Sequence, residues 1–185
     1  MSESQTATPI PSDSAGTAGT ATALPTSPDQ LLARLAELGI ASKTVDHDAV
    51  FTVEEAKALR GELSGGHIKN LFLRNKKEMM WLVVVEEDKR IDLKALGERL
   101  GAGKLSFGSP DRLMTYLGVL PGAVTPFSVI NDKAGKVTLV LDADLMDLDP
   151  LNCHPLVNTK TTALAPQDLV RFLEAEGHKP QIMAF

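Results

Sequence analysis

Several things are missing from this chain, and each absence removes a class of function. Cys153 is the sole cysteine in 185 residues, so no internal disulfide can form and a reducing setting, the cytoplasm, is expected. No apolar run reaches the roughly 20 residues that a bilayer-spanning helix needs. The histidines stand at 47, 67, 154 and 178, without the i, i+4 spacing of a helical zinc site, and Cys153–His154 offers too few ligands by itself. Asp142, Asp144, Asp147 and Asp149 superficially resemble a calcium loop. The central glycine and the terminal glutamate are not where such a loop needs them, so the run reads as a solvated acidic turn. No Gly-x-Ser-x-Gly elbow, Walker loop or dinucleotide fingerprint occurs. Cys153 and His154 are neighbours, and neighbours on a strand point to opposite faces, a poor geometry for a thiolate–imidazole pair. The expectation is therefore no metal and no cofactor.

What is present suits one globular domain with a real core: 43% of residues are hydrophobic and 23% charged. The net charge of −5 argues against a general nucleic-acid coat protein, and no DNA partner is expected. The charge is uneven, however. Residues 69–112 carry ten Lys/Arg against seven Asp/Glu, whereas the segments on either side are net acidic. A weakly basic middle suits either a local polyanion contact or scattered solvated lysines.

Residues 1–25 are Ser, Thr, Ala, Pro and Gly with almost no large apolar side chains, and they are expected to be a disordered extension. They show neither the basic start and apolar block of a secretory signal nor the arginines of a mitochondrial presequence. The folded domain is expected over residues 26–185. Ser27–Pro28–Asp29–Gln30 is a capping box that opens a helix bearing Leu31, Leu32, Leu35 and Leu38. Lys43–His47 reads as a short strand, and Thr52–Glu55 as a second capping box for a helix to about Leu59. Asp92 caps a helix with Leu93, Leu96 and Leu100, and Ser109–Pro110 starts another that ends at Gly118. Lys104–Phe107 reads as extended. Further strands are expected at Phe127–Ile130, Lys136–Leu141 and Leu156–Thr162. A terminal helix is expected over Pro166–Glu176, then a short extended piece over Pro180–Phe185. Strands and helices intermix without strict alternation, so the predicted class is α/β with a mixed sheet and flanking helices.

Two segments carry candidate chemistry. His67–Leu73 reads as a strand that pairs with Met79–Glu86 across Asn75–Lys76–Lys77. Alternation sets Lys69, Leu71 and Leu73 on one face and Ile68, Asn70 and Phe72 on the other. A lysine beside two leucines either snorkels to solvent at a sheet edge or holds an anionic ligand, because an unpaired buried ammonium is very costly. The second segment is Gly122–Ala123–Val124–Thr125–Pro126. It reads either as an ordinary proline-bounded turn or as a rigid loop whose bare backbone N–H groups meet an oxyanion or a ligand carbonyl.

Together, His67–Ile68–Lys69–Asn70–Leu71–Phe72–Leu73, Gly122–Ala123–Val124–Thr125–Pro126–Phe127, His154–Pro155–Leu156–Val157–Asn158–Thr159 and Asp168–Leu169–Val170–Arg171–Phe172–Leu173 resemble the aminoacyl-tRNA deacylases related to the editing domain of bacterial prolyl-tRNA synthetase. The resemblance covers roughly residues 27–185 and is greatest to the free-standing branch acting on alanyl-tRNA(Pro). It implies the editing-domain fold and a cytoplasmic trans-editing hydrolase, with mischarged tRNA(Pro) as substrate and prolyl-tRNA synthetase as a candidate partner. It implies catalytic roles for Lys69, near the 3′-terminal adenosine, and for Gly122, with Asn70 beside Lys69 in substrate binding. Ala123, Val124, Thr125 and Pro126 would line the aminoacyl pocket, His154 would stand close to it, and Lys104 would face the acceptor stem. It also implies that the free ribose hydroxyl of the substrate assists the attacking water. The rival expectations are a deacylase for cysteinyl-tRNA(Pro) or another small mischarged residue, and a non-catalytic module that binds the tRNA 3′ end. Lys69 is expected to face the Gly122 turn across a small cavity.

Overall fold

A computed structural model describes residues 25–49, 55, 58 and 63–185. The expected extension, apart from Pro25, and most of the helix expected from Thr52 to Leu59 lie outside the described residues. In chain order the elements are α1 (Pro28–Glu37), β1 (Ser42–Asp46), β2 (Gly66–Arg74), β3 (Met80–Glu86), α2 (Leu93–Arg99), β4 (Ser106–Phe107) and α3 (Pro110–Leu117), then a 3₁₀ helix (Pro126–Asn131). The chain continues through β5 (Val137–Asp142), a second 3₁₀ helix (Ala143–Asp147), β6 (Leu151–Cys153), β7 (Lys160–Leu164), α4 (Pro166–Ala175) and β8 (Gln181–Met183).

The strands form one mixed sheet in the order β1-β7-β6-β2-β3-β5-β8, with β4 also on β2. The hairpin β2–β3 is antiparallel and pairs Lys69 with Val85 and Asn70 with Val84. β5 and β8 add parallel to β3 in turn. Helices cover both faces. Leu31 and Leu35 of α1, Leu113 and Leu117 of α3, and Leu169, Phe172 and Leu173 of α4 pack with Phe72, Leu82, Val84, Leu139 and Leu141 in a first core. Leu96 of α2, with Ala102 and Leu105, packs on Leu73, Trp81, Val83, Val85 and Val140 in a second. A strand covered on both sides has no polar face, which accounts for the unbroken apolar run Met80–Val85, buried throughout.

The helix starts follow the caps read from sequence: Ser27, Asp92 and Ser109 each accept a backbone N–H of their first turn. Two strand expectations are corrected. Phe127–Ile130 is a 3₁₀ helix: Pro126 occupies its first turn, the Thr125 hydroxyl accepts from the Phe127 N–H, and the Ser128 hydroxyl donates to the Thr125 carbonyl. The strand expected at Leu156–Thr162 begins only at Lys160. Leu156 has a φ of +68°, a left-handed conformation that interrupts an extended run. The short β6 that precedes it was not anticipated.

β2 is the pivot of the sheet. On one edge it pairs with β3 along its length. On the other it pairs with β6 only at Gly66 and His67, and with β4 only at Leu73 and Arg74. Among the described residues, Ile68–Leu71, between these two, has no strand partner on that side.

Candidate active site

Two loops lie close to β2: one is tied to Asn70 through the Val124 carbonyl, and the other directly follows β6, the strand that pairs with Gly66 and His67. In the first, the Ala123 N–H donates to the Leu120 carbonyl over 3.0 Å, closing a turn with Pro121 and Gly122 at its centre. Gly122 has a φ of +88°, the value that the third residue of a type II turn requires. A Cβ added there would meet nothing nearer than the Asn158 amide nitrogen at 3.9 Å. Gly122 is thus required by backbone conformation rather than by crowding. It is exposed, Ala123 is buried, and Val124 is half-buried. Thr125 and Pro126 are buried and hold the 3₁₀ helix, so they shape the loop from beneath.

The second loop is His154–Thr159. The proximity of Asn158 to Gly122 places it beside the first. Asn158 lies inside a motif that the sequence singles out, yet an asparagine in a loop gives no local sign of which loop it will meet. The His154 Nδ1 lies 3.1 Å from the Lys160 carbonyl. A carbonyl only accepts, so Nδ1 carries the proton and Nε2 keeps its lone pair. Burial pushes the imidazole below its ordinary range; the Lys160 carbonyl works against this, and the neighbouring His47 adds to it. His154 is therefore neutral near pH 7. The His47 ring lies 6.4 Å away, tilted, with Nε2 2.9 Å from the Thr161 hydroxyl.

β2 contributes its two central polar residues in opposite directions. Asn70 Nδ2 donates to the Val124 carbonyl over 2.9 Å, tying the strand to the glycine loop. Lys69, on the other face, donates from Nζ to the Lys89 carbonyl. The expectation that the Lys69 ammonium faces the Gly122 turn is thereby corrected: Asn70 takes that place, because successive strand residues alternate. The Lys89 ammonium is held 2.6 Å from Asp142 and 2.7 Å from Asp144, and hydrogen bonds to Asp142 first and Asp144 second raise its pKa. Lys69 has no such carboxylate; among the described residues its one partner is a neutral carbonyl. Lys104 also lies on the second-core side, exposed, in the wall of a cavity of about 580 Å³ with Leu93, Lys94 and Leu105. Asn70, Gly122–Pro126 and the His154 loop thus gather on one side of β2, and Lys69 and Lys104 on the other. A cavity of about 520 Å³ beside β1, β7 and Ser64 contains none of these residues.

Cys153 is buried and its thiol is pushed up to about 12 by desolvation, so it is protonated and unreactive at neutral pH. Among the described residues no group of three or more His, Cys, Asp or Glu side chains could hold a metal ion.

The sequence profile of the aminoacyl-tRNA editing domain matches residues 47–172. The prolyl-tRNA editing protein ProX of Acetoanaerobium sticklandii is 40% identical over 149 residues, 80% of this chain and 91% of its own. The zebrafish (Danio rerio) prolyl-tRNA synthetase associated domain-containing protein 1 is 40% identical over 82% of this chain and 83% of its own. The multifunctional Ser/Thr-tRNA deacylase ProXp-y of Escherichia coli is 27% identical over 80% and 88%. A crystal structure of a proposed trans-editing enzyme for prolyl tRNA synthetase superposes with a TM-score of 0.65 at 24% identity, covering 88% of this chain and 98% of the other, which shows a shared fold. By profile, identity and coverage, the chain belongs to the aminoacyl-tRNA editing domain family, and its class of activity is aminoacyl-tRNA deacylation.

Proposed function

We propose that this deacylase works in trans on alanine mischarged onto tRNA(Pro), in the cytoplasm, with prolyl-tRNA synthetase as a candidate partner. The observation that carries the reading is the approach of the His154 loop, at Asn158, to the Gly122 turn, in a loop that Asn70 of β2 holds through the Val124 carbonyl. The name of the Acetoanaerobium relative supports a prolyl-tRNA. The physical need is clear. A synthetic site that holds proline also holds the smaller alanine, because missing carbons weaken binding by only about 1–3 kcal/mol. A second site that admits alanine and excludes proline completes the sieve.

The chemistry asked of the protein is small, since the ester of an aminoacyl-tRNA is already activated. Water attacks the ester carbonyl, the carbonyl oxygen becomes an oxyanion, and the bond to the ribose oxygen then breaks, with a proton returned to that oxygen. The free ribose hydroxyl of the substrate orients and assists the water. The Gly122 N–H is the donor assigned to the oxyanion. Neutral His154, with its Nε2 lone pair, accepts a hydrogen bond near the terminal ribose. Ala123 and Val124 line the pocket, with Thr125 and Pro126 fixing its shape. Lys69 and Lys104 hold the nucleotide and the acceptor stem; a cation on a neutral carbonyl keeps its charge for phosphate.

A single assay tests this. Purified protein should release alanine from alanyl-tRNA(Pro) and spare prolyl-tRNA(Pro); equal release of both, or of neither, overturns the proposal. Lys69→Ala should lower alanine release at least about a hundredfold at an unchanged melting temperature. Near-normal turnover would remove Lys69 from the site. A second reading, another small aminoacyl group, is supported by the Ser/Thr-tRNA deacylase name of the E. coli relative. Seryl-, threonyl- and cysteinyl-tRNAs in the same assay rank it against alanine.

A further inference from the structure

The Asn70 side chain is half satisfied. Its Nδ2 donates to the Val124 carbonyl, while its Oδ1 is buried and has no hydrogen-bond partner among the described residues. The amide cannot be turned to relieve this, because Oδ1 would then face a carbonyl oxygen, and two acceptors repel. An acceptor shut away from water and left unpaired is destabilising by about 1–3 kcal/mol, so its persistence in a rigid place needs a reason. Asn70 lies on the first-core side of β2. Ile68, Ala123, Val124 and Leu156 are apolar and pack in or against the first core. The register adds to the picture. The Glu87 N–H donates to the His67 carbonyl, and the Gly108 N–H to the Phe72 carbonyl from the opposite edge. Alternation along an antiparallel pair therefore aims the backbone of Asn70 away from β3, at the open edge.

We infer that Asn70 Oδ1 is the acceptor for the α-ammonium group of the substrate's aminoacyl moiety, so that Asn70 is a specificity-determining residue that reads a free amine. This rests on the deacylase reading and adds to it the group of the substrate that the enzyme recognises. Asn70 is bonded to the same loop that carries Gly122, so its oxygen stands on the amino-acid side of the site, across β2 from Lys69. The α-amine, whose ordinary pKa is about 7.7–8.0, donates a hydrogen bond in both of its protonation states and is a cationic donor when protonated. A neutral amide oxygen accepts from it in a charge-assisted bond without the desolvation of a buried carboxylate. The amide also binds both ends at once: its nitrogen holds the loop and its oxygen holds the substrate.

The test is a cycle that removes each partner in turn. tRNA(Pro) is acylated at its 3′ end with alanine or with propionate, which is alanine with the ammonium replaced by hydrogen and therefore no larger. Each rate is divided by the spontaneous hydrolysis rate of the same ester, since the amine itself activates the ester. Wild-type protein should favour the alanyl ester by about ten- to a hundredfold. Asn70→Leu, close in shape but without polar atoms, also frees the Val124 carbonyl and should therefore slow both esters, but it should slow the alanyl ester by a further factor of about ten to a hundred and so abolish the preference. A preference that survives unchanged in Asn70→Leu overturns the assignment. So does a wild-type preference near one, which needs no variant and holds whether or not Asn70→Leu folds. Wild-type protein that hydrolyses neither ester, nor any aminoacyl-tRNA, overturns the deacylase reading itself and this inference with it.

Discussion

At position 122 the backbone decides the residue. The φ of +88° is a conformation that β-carbon-bearing residues reach at a cost of about 1–3 kcal/mol, although the space beside it is open to 3.9 Å. Gly122→Ala should therefore lower the folding free energy by about 1–2 kcal/mol, seen as a lower denaturation midpoint, and should slow deacylation as the turn shifts its N–H. A variant as stable as the parent would show that the turn relaxes freely. At the same scale, Lys69 and Lys89 show how little a residue type says by itself. Both are lysines near one end of β2 and β3, but Lys89 is neutralised by Asp142 and Asp144, and Lys69 rests on a carbonyl. Composition counts them alike; their partners set them apart.

Among the elements, α2 contains an instructive exception to helix propensity. Gly97 sits inside Leu93–Arg99, where glycine is ordinarily worse than alanine by about 1 kcal/mol. A Cβ at Gly97 would lie 2.1 Å from the Gly103 carbonyl oxygen, a contact with backbone that no side-chain rotation relieves. Gly97→Ala should thus be destabilising by at least about 1–3 kcal/mol, against the sign that propensity gives. A chemical-denaturation curve shifted to higher denaturant would contradict the close approach of helix and loop. The helices were legible in sequence because their caps are local: Ser27, Asp92 and Ser109 bond within their own first turn. The 3₁₀ helix over Pro126–Asn131 was not, because Pro126 through Ile130 are all buried, and a run buried on every side has no period to read. β7 was misplaced for a different reason: whether Leu156 continues a strand depends on the neighbours that hold its φ at +68°, not on its propensity.

For the whole molecule, the partly buried imidazole of His154 links stability to pH. Its pKa in the folded protein is lowered, by burial first, relative to about 6.5 in the unfolded chain. The unfolded state therefore takes up the proton first, and folding stability falls as pH drops through about 6.5. The sign is that of a histidine buried neutral. His154→Gln should reduce this loss, so that the stability gap between wild type and variant changes between pH 8 and pH 5.5 in paired denaturation curves. Parallel curves at the two pH values would mean that His154 is solvated. The same neutrality leaves the Nε2 lone pair able to accept a hydrogen bond near pH 7, so deacylation should not lose His154 to protonation there.

From the amino-acid order alone came the class of fold, the helix starts, the alternation along β2 and the motifs that resemble an editing deacylase. All of these depend on residues within a few positions of one another, or on a pattern kept in register along one strand. Tertiary structure decided which partner each polar group met: Asn70 rather than Lys69 against the glycine loop, Asn158 beside Gly122, and Asp142 with Asp144 on Lys89. These contacts join residues 36 to 55 positions apart. No local rule reaches that far, because the sheet order that brings them together is set by the burial of two cores at once.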